Sequence, residues 1–414
     1  MIKTDANTKN KNVWIINEYA GSSRHGMEFR HYYLSKELAK LGYQVTIISA
    51  TYSHLFVKFP PATKWFNFEI VDGIQYVWIK VPKYAHAHSF GRVCKWFGFT
   101  FSLFFLPQKK MSKPDVIMVS PMQTMPVLPS YYWAKRCKAK LIFEIKDIWP
   151  LTLTELGGYS KYHPFIVWLK MFERFAIKKS DAMVSVLQNY NAYLKQEGFQ
   201  PRAYYIPNGV DAEEMHKAEA LDETVARQIP SDKFIVGYAG TIGLANGMDY
   251  FLEAANVLRD RDEILFVMAG KGNEKEKFVQ KAKEYGLRNV LFLPPVPKKQ
   301  IFSLLQKFDV CVAFFLTKKL YDFGVSPNKI FDYMLAGKPV LFFVNSPGNP
   351  VEKSGCGWVI PEVSAEEVAQ SVLKMSRLDK EERQKMGQRG KEYVLQNHTF
   401  QVLAARYHDV MKSL

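Results

Sequence analysis

Short apolar runs recur along the chain, each followed by a longer stretch whose apolar positions fall three or four apart. That alternation predicts strands and helices in turn. Val13–Asn17 (VWIIN) has the length of a buried strand, and a polar loop, Glu18–Gly26, leads from it to a helix-like segment, Met27–Leu41. Gly42 and Tyr43 stop that segment before a second strand at Gln44–Ala50. This βαβ opening belongs to a parallel sheet covered by helices. Further strands are expected at Gln75–Val81, Asp115–Ser120, Leu141–Lys146, Ala182–Leu187 and Ala203–Pro207, with helices at Pro126–Cys137 and Pro164–Lys179. The alternation then restarts: strand Phe234–Ala239, helix Met248–Arg259, strand Ile264–Ala269, helix Glu274–Tyr285, and strands Val290–Leu293 and Asp309–Phe315 flanking Lys298–Lys307.

The stretch Gly324–Val340, GVSPNKIFDYMLAGKPV, reads as a loop, a sharply started helix, a tight turn and a buried strand that runs to Val344. Ser326 is the expected N-cap, Pro327 suits the first helical position and Gly337 the residue just past the end. Asn328 and Lys329 then lie in the first turn. Open backbone N–H groups, the positive end of the helix dipole and one ammonium converge there, as a diphosphate requires. Asp332 projects from the same face one turn deeper, where a carboxylate can hold the cis hydroxyls of a ribose. An ordinary capped helix with a solvent-facing Lys–Asp pair would show the same pattern.

Two such series predict an α/β protein of two Rossmann-like, doubly wound domains at 1–212 and 232–395, joined by the polar stretch Glu213–Ser231. A length of 414 residues also exceeds one ordinary core. Ligands of such sheets lie outside the carboxyl ends of the strands, so a cleft between the domains is the expected site. The segment Ala365–Leu414 reads as helices, and the last, 396–414, is expected to cross back to the first domain.

Several loops are candidates for that site. Gly21 and Gly26 sit where a strand-to-helix loop can bring backbone N–H groups onto a phosphate, although no GxGxxG is present and a dehydrogenase is not expected. Lys146 and Asp147 end the strand in LIFEIKDIWP, the lysine to face a phosphate and the aspartate to orient an acceptor hydroxyl, or merely to cap the next turn. Gly240 and Thr241 belong to the glycine-rich loop YAGTIGLANG, and Lys271 and Gly272 to AGKG, which can admit a flat ring against backbone. Val296 lies in the loop after the next strand. Among the histidines, His86 and His88 show no metal-binding partner, and only His25 stands in a candidate loop. No GxSxG, HExxH or GxxxxGK[ST] occurs, so hydrolase and P-loop classes are unsupported.

The net charge of +16 is uneven. Residues 1–212 hold 28 Lys and Arg against 14 Asp and Glu, and residues 213–414 hold 28 against 26. The first half therefore suits an anionic partner: a nucleic acid, an acidic membrane surface or a phosphorylated acceptor. Between Asp72 and Asp115 there is no acidic residue, and Arg92, Lys95, Lys109 and Lys110 alternate with Trp96, Phe97 and further phenylalanines. Val93–Leu106 is too short to span a bilayer but suits a helix lying in an anionic membrane surface, with a helix packed on the sheet as the alternative. No nucleic-acid module accompanies the aromatics, so nucleic acid is not an expected partner. The polar opening MIKTDANTKNKN is not expected to be a signal peptide, and four scattered cysteines without a CxxC fit reduced thiols in the cytoplasm and argue against a structural zinc.

Taken together, NEYAGSSRHGMEFRHYYLSKELAKLGYQVTII, FEIKDIWP, IPNGVD, GYAGTIG and SPNKIFDYMLAGKPVL resemble glycosyltransferase family 4. More narrowly, the chain is similar to the bacterial amino-deoxy-sugar (fucosamine) transferases of surface-polysaccharide assembly. The resemblance implies a GT-B fold, with acceptor on the first domain and nucleotide-sugar on the second. It also implies metal-independent transfer with retention at the anomeric carbon. Asp332 stands where the second glutamate of the family's paired motif contacts ribose, but Gly324 occupies the place of the first. Thr241 and Asn246 replace the usual Arg and Lys of the phosphate clamp, and Lys146 replaces a common His. Lys329 and Lys146 resupply that charge.

The implied function is transfer of a sugar from a nucleotide diphosphate, UDP being the expected one, to a polyprenyl-diphosphate-linked saccharide of lipopolysaccharide or capsule. The protein would work in the cytoplasm, peripheral on the inner face of the plasma membrane. No cofactor is expected beyond the nucleotide-sugar as co-substrate. Lys329, the helix start at Ser326–Asn328 and the Gly26 N–H would grip the departing diphosphate, and Asp147 would position the acceptor. A nucleotide-sugar epimerase of similar frame and a non-catalytic sugar-nucleotide binder are the alternatives.

Overall fold

The computed structural model describes residues 11–26, 28–84, 89–243, 246–315 and 318–414. Met27, His86, His88, Leu244 and Ala245 lie outside the described residues, as does most of the polar opening. The chain divides into two compact units, Met1–Pro207 with Phe400–Leu414, and Asn208–Thr399. No helix among the described residues is long and apolar enough to cross a membrane.

The first unit is built on eight strands: β1 (Asn12–Ile16), β2 (Gln44–Ala50), β3 (Phe66–Val71), β4 (Ile74–Ile79), β5 (Val116–Val119), β6 (Lys140–Ile145), β7 (Ala182–Ser185) and β8 (Ala203–Tyr205). Their order is β3-β4-β2-β1-β5-β6-β7-β8, and every pairing except β3–β4 is parallel. Helices cover both faces, so the central strands are apolar along their length rather than alternating. Val13, Ile15, Ile47, Tyr76 and Trp78 are fully buried.

The antiparallel edge strand β3 was not among the expected elements. Its sequence, FNFEIV, inverts the usual alternation: the polar Asn67 and Glu69 face inward, while the apolar Phe68 and Ile70, 37% and 69% exposed, meet solvent. The turn Asp72–Gly73, both at positive φ, folds it back onto β4. The final helix, Phe400–Lys412, packs on helix Arg30–Lys40, with the Tyr33 and Phe400 rings stacked at 5.2 Å. Phe400, Leu403, Tyr407 and Val410 are part of this unit's core.

The second unit has six parallel strands: β9 (Phe234–Ala239), β10 (Ile264–Ala269), β11 (Val290–Leu293), β12 (Val310–Phe314), β13 (Val340–Phe343) and β14 (Gly357–Ile360). The order β11-β10-β9-β12-β13-β14 reverses direction between β9 and β12. These two strands pair only at Val236–Val310 and Gly237–Cys311 and then part, opening the crevice in which doubly wound sheets place their ligands.

The expected linker Glu213–Ser231 is instead docked on this unit. Glu214 and Glu219 pair with Lys298 and Lys299, each at 2.7 Å, and the Ser303 hydroxyl donates to the Glu219 carbonyl. Its polar residues face cations of helix Lys298–Gln306 rather than solvent alone.

Candidate active site

The helix of the SPNK segment runs Asn328–Leu335, one residue later than its sequence suggests. Pro327 holds the cap position with extended backbone and no side-chain cap, so Ser326 is not the N-cap. Ser326 serves the preceding turn instead. Its hydroxyl accepts the Asn208 N–H at 3.0 Å, and its carbonyl accepts the Asn208 side-chain amide at 2.6 Å. The Ile330 N–H donates to the Pro327 carbonyl, and the amides of Asn328 and Lys329 belong to the open end of the helix. Beyond Ala336, Gly337 turns the chain at φ +69°.

Lys329 reaches back to the crevice between β9 and β12. Its ammonium donates to the Tyr238 hydroxyl and to Asn246 Oδ1, both at 2.8 Å, and lies 4.5 Å from the centre of the Tyr238 ring. Half-buried among these groups, it loses hydration, and burial pushes its pKa down to about 7. A dianionic ligand arriving here would restore the charge. Gly240 completes the wall, since a Cβ there would stand 3.5 Å from Lys329 Cε and 3.2 Å from the Tyr238 hydroxyl.

Two glycine-rich loops lie back to back beside the lysine. A Cβ on Gly270 would fall 1.9 Å from the Gly240 carbonyl oxygen, and one on Gly272 1.8 Å from that of Ile242. Only glycine allows this approach. Asp332 is half-buried on the same helix as Lys329, and burial lifts its carboxyl to about 7 against the pull of Lys298.

In the first unit, β6 delivers Lys146 and Asp147 at its carboxyl end, and the strand beneath them is anchored by ions. Glu144, fully buried, accepts from Arg30 Nε at 3.0 Å, Arg30 Nη2 at 2.9 Å, His31 Nε2 at 2.8 Å and the Tyr407 hydroxyl. Burial alone would raise its pKa, but Arg30 and His31 hold it well below the usual carboxylate range. Lys146 pairs with Glu28 at 2.6 Å. Asp147 is exposed, yet its recessed surroundings and the charge of Glu28 raise its pKa while Lys146 opposes them.

The family model described as Glycosyltransferase Family 4 matches residues 24–214, and the model described as Glycosyl transferases group 1 matches residues 222–393. The chain belongs to glycosyltransferase family 4. It is 25% identical over 311 residues to WcaI of Escherichia coli K12, named as a candidate colanic acid biosynthesis glycosyl transferase, covering 72% of this chain and 75% of that one. The fold is GT-B. A sucrose-phosphate synthase from Thermosynechococcus elongatus superposes with a TM-score of 0.72 at 14% identity, covering 97% of this chain and 98% of the other. Anabaena HepE in complex with UDP superposes with a TM-score of 0.69 at 13% identity, covering 98% and 100%.

In this glycosyltransferase several expected residues do different work. The Gly26 N–H donates to the Ser22 carbonyl at 3.0 Å, and the Gly240 N–H to the Ala269 carbonyl at 3.0 Å. Neither amide is open to a phosphate. Lys146 is neutralised by Glu28 instead of facing a phosphate alone. Thr241 and Lys271 are exposed at the carboxyl ends of β9 and β10, and Val296 is half-buried after β11. His25 is buried, bonded to the Ser22 hydroxyl and beside Glu69, so it braces its loop.

The basic helix, Phe90–Leu103, corrects the expectation most. Lys95 is fully buried, 3.8 Å from Glu18 and 3.7 Å from the centre of the Tyr19 ring; burial lowers its pKa to about 8 against the pull of Glu18. Trp96 and Arg92 both donate to the Tyr19 hydroxyl, at 3.0 and 3.1 Å. These three residues line the inner face. The outer face carries Phe90, Phe97 and Phe101, at helical spacing, and Lys109 and Lys110 are exposed beyond it. Tyr238 and Glu28 were not singled out from sequence. A tyrosine inside a buried strand and a lone glutamate before a helix carry no local sign of the lysines they meet.

Proposed function

We propose that the protein moves a sugar from a nucleoside diphosphate, UDP, to a hydroxyl of a lipid-linked saccharide during assembly of a bacterial surface polysaccharide. Retention at the anomeric carbon, independence from metal ions and an N-acetylated amino-deoxy donor sugar belong to the same proposal. The observation that carries it is Lys329, an ammonium of lowered pKa held by Tyr238 and Asn246 where β9 and β12 part. A diphosphate in that crevice meets a cation and the free amides of a helix start without rearrangement. The relative named for colanic acid biosynthesis and the UDP complex of HepE support the polymer and the nucleotide.

As the bond between the anomeric carbon and the diphosphate oxygen breaks, negative charge grows on that oxygen, and Lys329 stabilises it. The acceptor oxygen bonds to the same face of the sugar and gives its proton to the departing phosphate. Asp332 holds the ribose, and Asp147 orients the acceptor hydroxyl in the first unit. The outer phenylalanines of helix Phe90–Leu103 with Lys109 and Lys110 dock on an anionic membrane surface, where the acceptor resides.

The test is incubation of UDP-sugars with a polyprenyl-diphosphate-linked saccharide, in EDTA. Glycosylated acceptor with the anomeric configuration of the donor is the expected product. Conversion of the UDP-sugar without acceptor would instead indicate an epimerase. UDP binding with no product from any donor would indicate a binder.

A further inference from the structure

Strand β9 loses its neighbour β12 just before its carboxyl end, and one side chain takes that neighbour's place. Along a strand, successive residues turn their N–H and C=O groups to opposite sides. The Phe234 N–H donates to the Glu263 carbonyl at 2.7 Å and the Gly240 N–H to the Ala269 carbonyl at 3.0 Å, so these positions face β10. Ile235 faces β12, its carbonyl accepting the Asp309 N–H at 2.9 Å, and Gly237 pairs with Cys311. Ala239 faces the same way, but the last β9–β12 pair lies behind it. Its two buried polar groups would be left without partners, which native backbones avoid.

Tyr333 supplies both partners. Its hydroxyl accepts the Ala239 N–H at 3.0 Å and donates to the Ala239 carbonyl at 3.1 Å, deep in the core. This clasp closes the end of the strand where the crevice opens, and it joins two parts of the site. Tyr333 lies one turn after Lys329 on helix Asn328–Leu335, so both project from one face. The residues flanking Ala239 are those that surround the lysine. Tyr238 accepts its ammonium at 2.8 Å and donates to the Thr241 carbonyl at 2.6 Å, and Gly240 walls its stem. The helix is thus held to β9 at two points, a buried one at Tyr333 and a half-buried one at Lys329.

We infer that Tyr333 is a positioning residue for the diphosphate site: its hydroxyl stands in for β12 on Ala239 and sets the separation between Lys329 and the wall of Tyr238 and Gly240. The diphosphate rests on the transferase reading above; the hold of Tyr333 on the lysine does not. Tyr333 touches no ligand and acts through the Ala239 peptide. Without the hydroxyl, that peptide must turn to water or to another partner, and Tyr238 moves with it. Water then reaches an ammonium whose present partners, a phenol and an amide oxygen, are both neutral. The fixed aim of the lysine at a departing diphosphate is lost with it.

The test is Tyr333→Phe in the full chain, which keeps the ring and removes one oxygen. Titration of Lys329 is followed by NMR of isotope-labelled lysine, its signal assigned by loss in Lys329→Met. UDP affinity is measured by calorimetry at about pH 6, where the ammonium is charged. The expected result is a Lys329 midpoint raised by about one pH unit or more toward the ordinary lysine value, with UDP binding about tenfold weaker. Val372→Ala, in the core of the same unit on helix Ala365–Ser376, should lower the melting temperature and move neither readout. In wild type, the Ala239 amide should exchange as slowly as those in the paired part of β9. An unmoved midpoint in Tyr333→Phe, equal shifts in Val372→Ala, or fast exchange at Ala239 would overturn the inference. If wild type failed to bind UDP, the transferase reading would fall, while a Lys329 midpoint that depends on Tyr333 would still establish what positions the lysine.

Discussion

Asn208 and Ser326, 118 positions apart, clasp each other through two hydrogen bonds, the Asn208 N–H to the Ser326 hydroxyl at 3.0 Å and the Asn208 side-chain amide to the Ser326 carbonyl at 2.6 Å. One residue belongs to the IPNGVD turn and the other opens the SPNK segment, so the two motifs form one physical unit. The clasp fixes the residue before Pro327 and with it the aim of helix Asn328–Leu335. Asn208→Ala keeps the backbone N–H bond to the Ser326 hydroxyl but removes the side-chain amide bond to the Ser326 carbonyl, and should weaken UDP binding about fivefold in calorimetric titration. Ser326→Ala keeps the stronger-placed carbonyl contact and should cost less.

The lowered pKa of Lys329 makes nucleotide binding pH-dependent. Below about pH 7 the side chain is charged in both folded and unfolded chains, and the fold bears the full desolvation cost. Between that value and the ordinary lysine range the unfolded chain holds one proton more, so this residue's contribution to stability rises with pH. UDP prefers the ammonium, so its affinity should fall from pH 7 to pH 9, by up to about tenfold per pH unit. Titrations in buffers of different ionisation enthalpy should show proton uptake, and Lys329→Met should abolish both effects.

Burial raises the Asp147 pKa, and Glu28 adds to it beside a shared lysine. The negative charge of Glu28 raises it, while Lys146 lowers it. Replacing Glu28 with Gln removes the raising influence and leaves the ammonium. The acid limb of the pH–rate profile should then move to lower pH, with the far limb unchanged. An unmoved acid limb would remove Asp147 from the acceptor site.

Much of the fold was legible because several strands end where an apolar run meets a glycine or a polar turn. Gln44–Ala50, Phe234–Ala239, Ile264–Ala269 and Val290–Leu293 lie where the pattern puts them. Edge strand β3 did not show itself, because the inward-facing Asn67 and Glu69 break its apolar run. Within the helix Phe90–Leu103, rings occur on both faces, so composition left open which face turns inward; the Glu18 carboxylate and the Tyr19 ring settle it by drawing Lys95 and Arg92 inside. Lys329 was recognisable from its place at a helix start. Of its partners, Asn246 was placed near a phosphate only through the family resemblance and Tyr238 not at all, since contacts over 83 and 91 positions leave no mark in spacing.

The inward turn of Lys95 changes how membrane docking should be probed. Placing Glu at position 95 would bury an unpaired carboxylate beside Glu18 and damage the fold whatever the membrane does. Phe90→Ser with Phe101→Ser alters the outer face and leaves the stack of Phe97 on Trp168 in place. That pair, Phe90→Ser with Phe101→Ser, or Lys109→Glu with Lys110→Glu, should release the protein from anionic vesicles in a sedimentation assay at unchanged melting temperature. Unchanged co-sedimentation of both variants would remove this face from the membrane.

The most direct measurement is the turnover of Lys329→Ala at saturating donor and acceptor. An ammonium aimed at a departing diphosphate contributes on the order of 2.7–4 kcal/mol at the barrier, so the expected turnover is about 100- to 1000-fold below wild type, with the fold intact by circular dichroism. Turnover at the wild-type rate would contradict the role of this lysine and the site built around it.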